Sequence, residues 1–291
     1  MSDAPWTIGR LLNWTTEFLR ERGAESPRLD AEVLLAHARG CERIMLYAAF
    51  EEPASEELRT SFRELVKQRA AGKPVAYLVG KREFFSLSFA VTPDVLIPRP
   101  ETEGLVVRAL DLLKARPDGA PQAIDVGTGS GAIAVCLAKH NPKVRLTAVD
   151  VSPAALAVAR CNAEKHGVAE RIEFVESDLF AAVPASGDFE LIVSNPPYVT
   201  TAELAALADD VRRYEPQLAL DGGEHGTTVV ERLLAAAPAR LAPGGWLLME
   251  ISPAIAERVE RLIDAAPGLA RGDTLDDSNG LARIVQARRE P

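Results

Sequence analysis

The 291-residue chain is 47% hydrophobic and 26% charged, an ordinary globular composition for a main domain with a smaller companion. No stretch approaches the ~20 apolar residues of a membrane span, and the start, Met1 to Trp6, lacks the basic-then-apolar order of a secretion signal; no membrane attachment and a cytoplasmic location are expected. The net charge of −9, carried almost wholly beyond residue 80, argues against direct nucleic-acid binding, and three scattered cysteines (Cys41, Cys136 and Cys161) argue against a disulfide framework or a zinc site.

Residues 1–75 read as helices. Ile8, Leu11, Leu12, Phe18 and Leu19 recur at helical spacing. Ser26-Pro27 opens a second helix as N-cap and first-turn proline, and Gly40 is placed to end it. A short third helix is expected over Glu42 to Ala48. A fourth begins near Ser55, buries Leu58, Phe62, Leu65 and Val66, and stops at Gly72-Lys73-Pro74. No ionisable cluster or glycine loop is visible in this bundle, which reads as a docking or lid domain. From Tyr77 to Val91 the period changes: Phe84-Phe85 and Phe89-Ala90-Val91 flank Ser86-Leu87-Ser88, the pattern of a β-hairpin. Residues 76–97 therefore read as a hairpin linker.

Beyond it, over 98–291, short apolar strands alternate with helical stretches. Ala123–Val126, Leu146–Val149, Ile172–Val175, Leu191–Val193, Trp246–Ile251 and Ala282–Ala287 are the expected strands, with Gly131–Lys139 and Pro153–His166 as helices between them. This alternation predicts an α/β fold with a doubly wound, Rossmann-like parallel sheet.

Asp125-Val-Gly-Thr-Gly-Ser-Gly131 lies where the first of these strands turns into a helix. Gly127, Gly129 and Gly131 let the backbone turn tightly and let a ligand approach without meeting a Cβ. Asp150 ends the next strand, 21 residues after Gly129, where an acid is placed to hydrogen-bond ribose hydroxyls. The G-x-G-x-G spacing differs from the G-x-G-x-x-G of dinucleotide sites. It resembles the first motif of S-adenosylmethionine-dependent methyltransferases. Ser177-Asp178-Leu179 follows the third strand, and in related methyltransferases an acid at this place contacts the adenine; a turn or N-cap aspartate is the competing reading of Asp178.

Ser194-Asn-Pro-Pro-Tyr198 follows the fourth strand directly. Two consecutive prolines fix φ and remove two N–H groups, which makes the segment stiff. A planar group bearing –NH₂ could donate one hydrogen to the Asn195 side-chain oxygen and another to the Pro196 carbonyl, while Tyr198 stacks on its face. Catalysis would then be largely orientation, with the two acceptors stabilising charge that develops on nitrogen. No general base is evident.

With loop, acid and Asn-Pro-Pro-Tyr in this order, the chain resembles the HemK/PrmC family of protein-glutamine methyltransferases over nearly its whole length. Leu96-Ile-Pro-Arg-Pro-Glu-Thr-Glu103 has the form of its release-factor branch, whereas the ribosomal-protein branch typically reads Pro-Arg-Ser-Pro there. Arg213-Tyr-Glu-Pro216, Leu220-Asp-Gly-Gly223, Glu250, Asp277, Gly280 and Arg283 also match. Ser252-Pro-Ala-Ile255 departs from the family's usual Gly and Gln at that turn.

The resemblance implies methyl transfer from S-adenosyl-L-methionine to the glutamine side-chain amide of the Gly-Gly-Gln tripeptide in class-1 peptide release factors. It implies a cofactor site at Gly127, Thr128, Gly129, Ser130, Gly131, Asp150, Asp178, Leu179 and Asn195. Asn195, Pro196 and Tyr198 would be catalytic, and Asn195, Pro196, Pro197, Tyr198, Arg99 and Glu101 would bind substrate. The expected partner is the release factor, with no metal, no nucleic acid and no membrane, and with a monomeric enzyme. The competing readings are a glutamine methyltransferase of a ribosomal protein, an adenine-amine methyltransferase, and a non-catalytic scaffold on the same fold.

Overall fold

Thr7 begins the first helix by accepting a hydrogen bond from the Arg10 N–H at 3.2 Å, and the apolar stripe of α1 (Ile8–Arg20) then buries Ile8, Leu11, Leu12 and Leu19. The stripe packs with Leu34 and Leu35 of α2 (Pro27–Arg39), Leu46 of α3 (Arg43–Ala48), and Phe62 and Val66 of α4 (Glu56–Ala70). Ser55 caps α4 through the Leu58 N–H at 3.2 Å. Gly40 ends α2 at φ +71°, but Ser26, expected as its side-chain cap, makes no capping hydrogen bond. The computed structural model describes residues 5–114, 119–185 and 189–290. It divides into one unit of Met1–Lys81 with Asp209–Tyr214 and a second of Arg82–Ala208 with Glu215–Pro291.

The helical unit departs from the sequence reading in three respects. Tyr77, expected in a hairpin, lies in α5 (Val75–Val79), because Pro74 fixes φ at −56° for a helix start and Gly80 ends the turn at φ +70°. An ionisable cluster, not visible in the sequence, surrounds Glu32: Arg28 and Arg43 each donate to its carboxylate at 2.8 Å, and the Tyr47 hydroxyl donates as well. Burial opposes ionisation of Glu32, yet the hydrogen bonds from Tyr47, Arg43 and Arg28 outweigh it and hold the carboxyl below its ordinary range. Finally, a later segment, Asp209–Tyr214, belongs to this unit. Its Tyr214 hydroxyl donates to the Ala71 carbonyl at 3.1 Å.

The hairpin forms from β1 (Lys81–Phe84) and β2 (Leu87–Ala90), turning at Phe85 and Ser86, both at positive φ. From Arg82 onward it lies within the second unit, where Phe84 and Phe89 are fully buried in the core beside α6 (Glu103–Lys114). There follow β3 (Gln122–Val126), α7 (Ala132–His140), β4 (Arg145–Asp150), α8 (Pro153–Lys165), β5 (Ile172–Glu176) and β6 (Phe189–Ser194). Short helices α9 (Thr201–Leu204) and α10 (Asp209–Tyr214) precede α11 (Thr228–Ala236), β7 (Leu241–Glu250), α12 (Ala256–Asp264), β8 (Leu269–Arg271), β9 (Leu275–Asp276) and β10 (Ala282–Arg289).

Among the described residues these strands form an eight-stranded sheet in the order β5-β4-β3-β6-β7-β10-β8, with β9 paired to β10. β3 to β7 run parallel, whereas β10 is antiparallel to β7, β8 and β9. The parallel, doubly wound sheet expected from the alternation is present, with antiparallel strands added at one edge, because the short return from β9 leaves no crossover to bring β10 back in the same direction. Strand side chains alternate between two cores: Leu191 and Val193 face α6 and α7, and Ile192 faces α11 and α12. β7 starts earlier than expected, at Leu241, and carries a register shift across Gly244-Gly245. The unusual Ser252 caps its own turn, accepting from the Ala254 N–H at 3.3 Å. No helix among the described residues is long and apolar enough to cross a membrane.

Candidate active site

The carboxyl ends of β3, β4, β5 and β6 open into one cavity, where the reversal of strand order at β3 leaves room between the connections. Its wall contains Gly127, Thr128, Gly129, Ser130, Asp150, Asp178, Leu179, Asn195, Pro196, Pro197 and Arg99. Gly131, Tyr198 and Glu101 are not on that wall.

The glycine loop is held from beneath. Gly127 and Thr128 donate to the Val149 carbonyl at 2.9 Å each, and the Thr128 hydroxyl donates to Asp125 Oδ2 at 2.8 Å. Asp125 is fully buried; burial pushes its carboxyl up to about 7, against the hydrogen bonds from Thr128 and the Ala134 N–H. Asp150 accepts from the Gly129 N–H through Oδ2 and from the Ser152 N–H through Oδ1, both at 2.9 Å. A carboxylate oxygen has more than one lone-pair site, so both oxygens keep acceptor capacity toward the cavity. Gly129 lies at φ +54° with nothing within 4 Å of where a Cβ would stand. Gly131 serves packing instead: an added Cβ would lie 3.0 Å from Ala159 Cβ on α8.

On the rim, Asp178 pairs with Arg232 at 2.7 Å, and both side chains are more than half exposed. Leu179 beside it sits at φ +51°, a strained conformation for a side chain with a Cγ branch and one that commonly marks a ligand site. These features fit a nucleoside: an open αL glycine, an acid with free acceptor sites, and apolar wall from Val151 and Leu179.

Ser194 ends β6 by donating its hydroxyl to the Val126 carbonyl at 2.7 Å, which fixes Asn195 beside the glycine loop. Asn195 Nδ2 donates to Thr102 Oγ1 at 3.3 Å. Val199 N–H bonds the Leu220 carbonyl at 3.0 Å, and Gly222 N–H bonds the Val199 carbonyl at 2.8 Å. Gly222 is required by this clamp, since a Cβ there would sit 2.8 Å from the Pro197 carbonyl oxygen. Tyr198, expected to stack on the substrate, turns away from the cavity wall. It packs against the second core, and its hydroxyl donates to Glu250 Oε1 at 3.4 Å. Burial, with the nearby Glu250 charge, pushes the Tyr198 phenol up to about 12.

Arg99 lies on the wall, but its guanidinium is already committed to Glu215. The Glu215 side chain is 1% exposed and also accepts from the Ile97 N–H at 3.1 Å. Arg99 therefore holds the 97–99 segment in place. Glu101 is exposed.

Four supporting residues escaped the sequence reading of the site. Asn162 on α8 is buried and donates to the carbonyls of Ser130, at 2.8 Å, and Ala90, at 3.0 Å, tying the glycine loop to β2. Its signal is an amide on the apolar face of a helix. Glu215, Thr102 and Glu250 gave weaker signals, an acid or hydroxyl inside otherwise apolar or proline-rich stretches.

Two family models match the chain: the PrmC N-terminal domain over residues 10–80 and the methyltransferase small domain over residues 108–211. The chain is 47% identical over 290 residues to a release factor glutamine methyltransferase of Rhodopirellula baltica, covering 99% of this chain and 98% of the relative. It is 44% identical over 292 residues to the release factor glutamine methyltransferase of Geobacter sulfurreducens, covering 99% of each. A methyltransferase structure from Pyrococcus furiosus matches with a TM-score of 0.51 at 20% identity, over 79% of this chain and 98% of that one, which shows the shared fold.

Proposed function

Since the chain belongs to the release factor glutamine methyltransferase family, we propose that it methylates the side-chain amide nitrogen of the glutamine in the Gly-Gly-Gln tripeptide of class-1 peptide release factors, in the cytoplasm. S-adenosyl-L-methionine supplies an electrophilic methyl on a sulfonium. As the amide nitrogen forms the N–C bond, the S–C bond breaks to leave a neutral thioether. The nitrogen gives up one of its hydrogens as a proton to solvent, leaving a neutral N-methyl amide.

The observation that carries this reading is the placement of Asn195 and Pro196 on the same cavity wall as the glycine loop and Asp150. Asp150 and the Asp178 rim would hold the nucleoside, with Gly129 leaving space for it. Asn195 Oδ1 and the Pro196 carbonyl would each accept one hydrogen of the substrate –NH₂. An amide nitrogen is a poor nucleophile because its lone pair is delocalised into the carbonyl. Two acceptors on its hydrogens orient the nitrogen and stabilise the positive charge it gains as the C–N bond forms. The rigid diproline keeps these acceptors from relaxing away.

The helical unit has a role in the same reading. Trp14, Leu29, Ile44, Met45 and Tyr47 are large apolar residues left about half exposed or more in this small unit. We infer that they seat the body of the release factor while its Gly-Gly-Gln loop is methylated.

The test is mass spectrometry of an unmodified class-1 release factor incubated with this protein and S-adenosylmethionine. One added methyl on the Gly-Gly-Gln glutamine, absent with Asn195→Ala, is the expected result. Failure of the wild-type chain to modify a folded factor refutes the substrate assignment.

A further inference from the structure

Asn195 can act as proposed only in one of its two amide orientations. With Oδ1 toward the substrate it accepts a hydrogen from the –NH₂; flipped by half a turn, its own –NH₂ meets the substrate –NH₂, donor against donor. The orientation is decided by whatever the other end of the amide touches. Here that is Thr102 Oγ1, 3.3 Å from Asn195 Nδ2.

A threonine hydroxyl has one proton, so it can accept from Asn195 without ambiguity only if that proton is engaged elsewhere. The Thr102 hydroxyl also lies within reach of the buried carboxyl of Glu250, whose Oε2 has no other partner. Glu250 is 1% exposed, and its Oε1 already accepts from the Tyr198 hydroxyl at 3.4 Å. An ionised carboxylate can only accept. Thr102 must then donate to Glu250, its lone pairs must take the Asn195 N–H, and Asn195 Oδ1 is left for the substrate.

We infer that Thr102 and Glu250 are positioning residues that set the flip of the Asn195 amide, so that its oxygen faces the glutamine –NH₂. The inference rests on the reading of Asn195 given above. It also gives a role to a buried acid that is not itself on the cavity wall: Glu250 acts through Thr102, which is on that wall, and touches Tyr198, which is not.

Protonation of Glu250 would give it a proton to donate, and the rule that fixes Thr102 would lapse. Burial favours that protonation, while the Thr102 and Tyr198 hydrogen bonds and the nearby Arg283 charge oppose it; Glu101 adds a repelling charge. Arg283 is itself held by Asp277 at 3.1 Å. Activity should therefore fall on acidification as Glu250 takes up a proton.

The experiment compares the full-length wild type with Thr102→Val, Thr102→Ser and Glu250→Gln, using an unmodified class-1 release factor and S-adenosylmethionine. It reads kcat, KM, cofactor Kd by calorimetry, melting temperature and the pH profile of kcat. Thr102→Val keeps the branched shape and removes the hydroxyl; kcat should fall about tenfold or more, with cofactor Kd changed less than about twofold. A tenfold loss corresponds to about 1.4 kcal/mol, one directed hydrogen bond. Thr102→Ser should recover most of that loss. Glu250→Gln, which can donate as well as accept, should lower kcat and abolish the acidic limb of the wild-type profile. Wild-type transfer with full kcat in Thr102→Val overturns the inference, as does a Thr102→Ser that fails to recover or a Glu250→Gln that keeps the acidic limb. Loss of kcat only in parallel with cofactor affinity and melting temperature overturns it too, since that marks structural support. An inactive wild type, by contrast, fails the underlying reading, and it is seen before any variant is compared.

Discussion

Gly129 donates its backbone N–H to Oδ2 of Asp150 at 2.9 Å, so the turn that leaves space for a ligand is fastened to the acid placed to hold it. One side chain thus shapes the loop and contributes an acceptor to the cavity. Asp150→Ala should remove both contributions. Hydrogen bonds to a charged acceptor contribute about 1.5–3 kcal/mol each, so cofactor affinity should fall by at least about tenfold. Calorimetric titration with S-adenosylmethionine measures this; an unchanged Kd would remove Asp150 from the site.

Two glycines of the same loop should respond differently to alanine. Gly129 at φ +54° has open space where a Cβ would go, so Gly129→Ala should cost about 1–2 kcal/mol of stability for the left-handed backbone. Its methyl would occupy cavity space, and cofactor binding should suffer most. Gly131 at φ +78° would place its Cβ 3.0 Å from Ala159 Cβ and 3.1 Å from Ala159 Cα. Gly131→Ala should add about 1–3 kcal/mol of overpacking to the same backbone cost. Denaturant unfolding beside cofactor titration separates the two, and equal stability losses would contradict the packing role given to Gly131.

Much of this site was legible because its chemistry is local in sequence. Gly127 to Gly131, Asp150 and Asn195 to Pro197 sit at strand ends, and strand ends of a parallel sheet converge. The direction of the Tyr198 ring was not legible, because periodicity places a residue after a strand without saying which way its ring turns; the hydrogen bond to Glu250 decides that, 52 residues away. The ion pair of Arg99 was hidden for the same kind of reason, since its partner Glu215 lies 116 residues on. The antiparallel β10 was missed because its hydrophobic pattern, with Ile284 and Val285 on opposite cores, is the same in either direction. The Glu32 cluster joins α2 to two residues of α3, and charged residues on short helices read as solvated until the helices are packed.

The pairing of Arg99 with Glu215 makes a prediction opposite in kind to direct substrate binding. Arg99→Ala would leave a carboxylate buried without its cation, a loss of about 3 kcal/mol. Adding Glu215→Ala removes the orphaned charge and should recover part of the melting temperature, a coupling that a double-mutant cycle measures. Additive losses would free Arg99 from this structural duty.

Asp125 gives a pH dependence of known sign. Its carboxyl is pushed up to about 7 in the folded chain by burial, against about 3.9 when unfolded. Between those values the native chain holds a proton that the unfolded chain has released. Stability from this group therefore declines as pH rises from about 4 to about 7 and levels off above. The full effect is on the order of 4 kcal/mol. Asp125→Asn cannot titrate, so its advantage over wild type in unfolding free energy should grow between pH 5 and pH 7.5. A constant difference across that range contradicts the raised carboxyl.

The exposed apolar residues of the helical unit separate docking from chemistry. Trp14 is 50% exposed, Ile44 68% and Met45 53%, and burying such side chains against a partner contributes about 1.5–3 kcal/mol each. The pair Ile44→Ser, Met45→Ser should leave cofactor Kd near wild type, because both side chains are more than half exposed and lie in the helical unit. Trp14→Ser should do the same at some cost in melting temperature, because Trp14 stacks on Phe18 at 4.8 Å. On an intact release factor KM should rise roughly tenfold or more while kcat holds. On a short Gly-Gly-Gln peptide, which cannot reach a second surface, the same variants should match the wild type. A KM that rises equally on peptide and intact factor would place the effect in the cavity, and an unchanged KM on both would leave these residues without a part in docking.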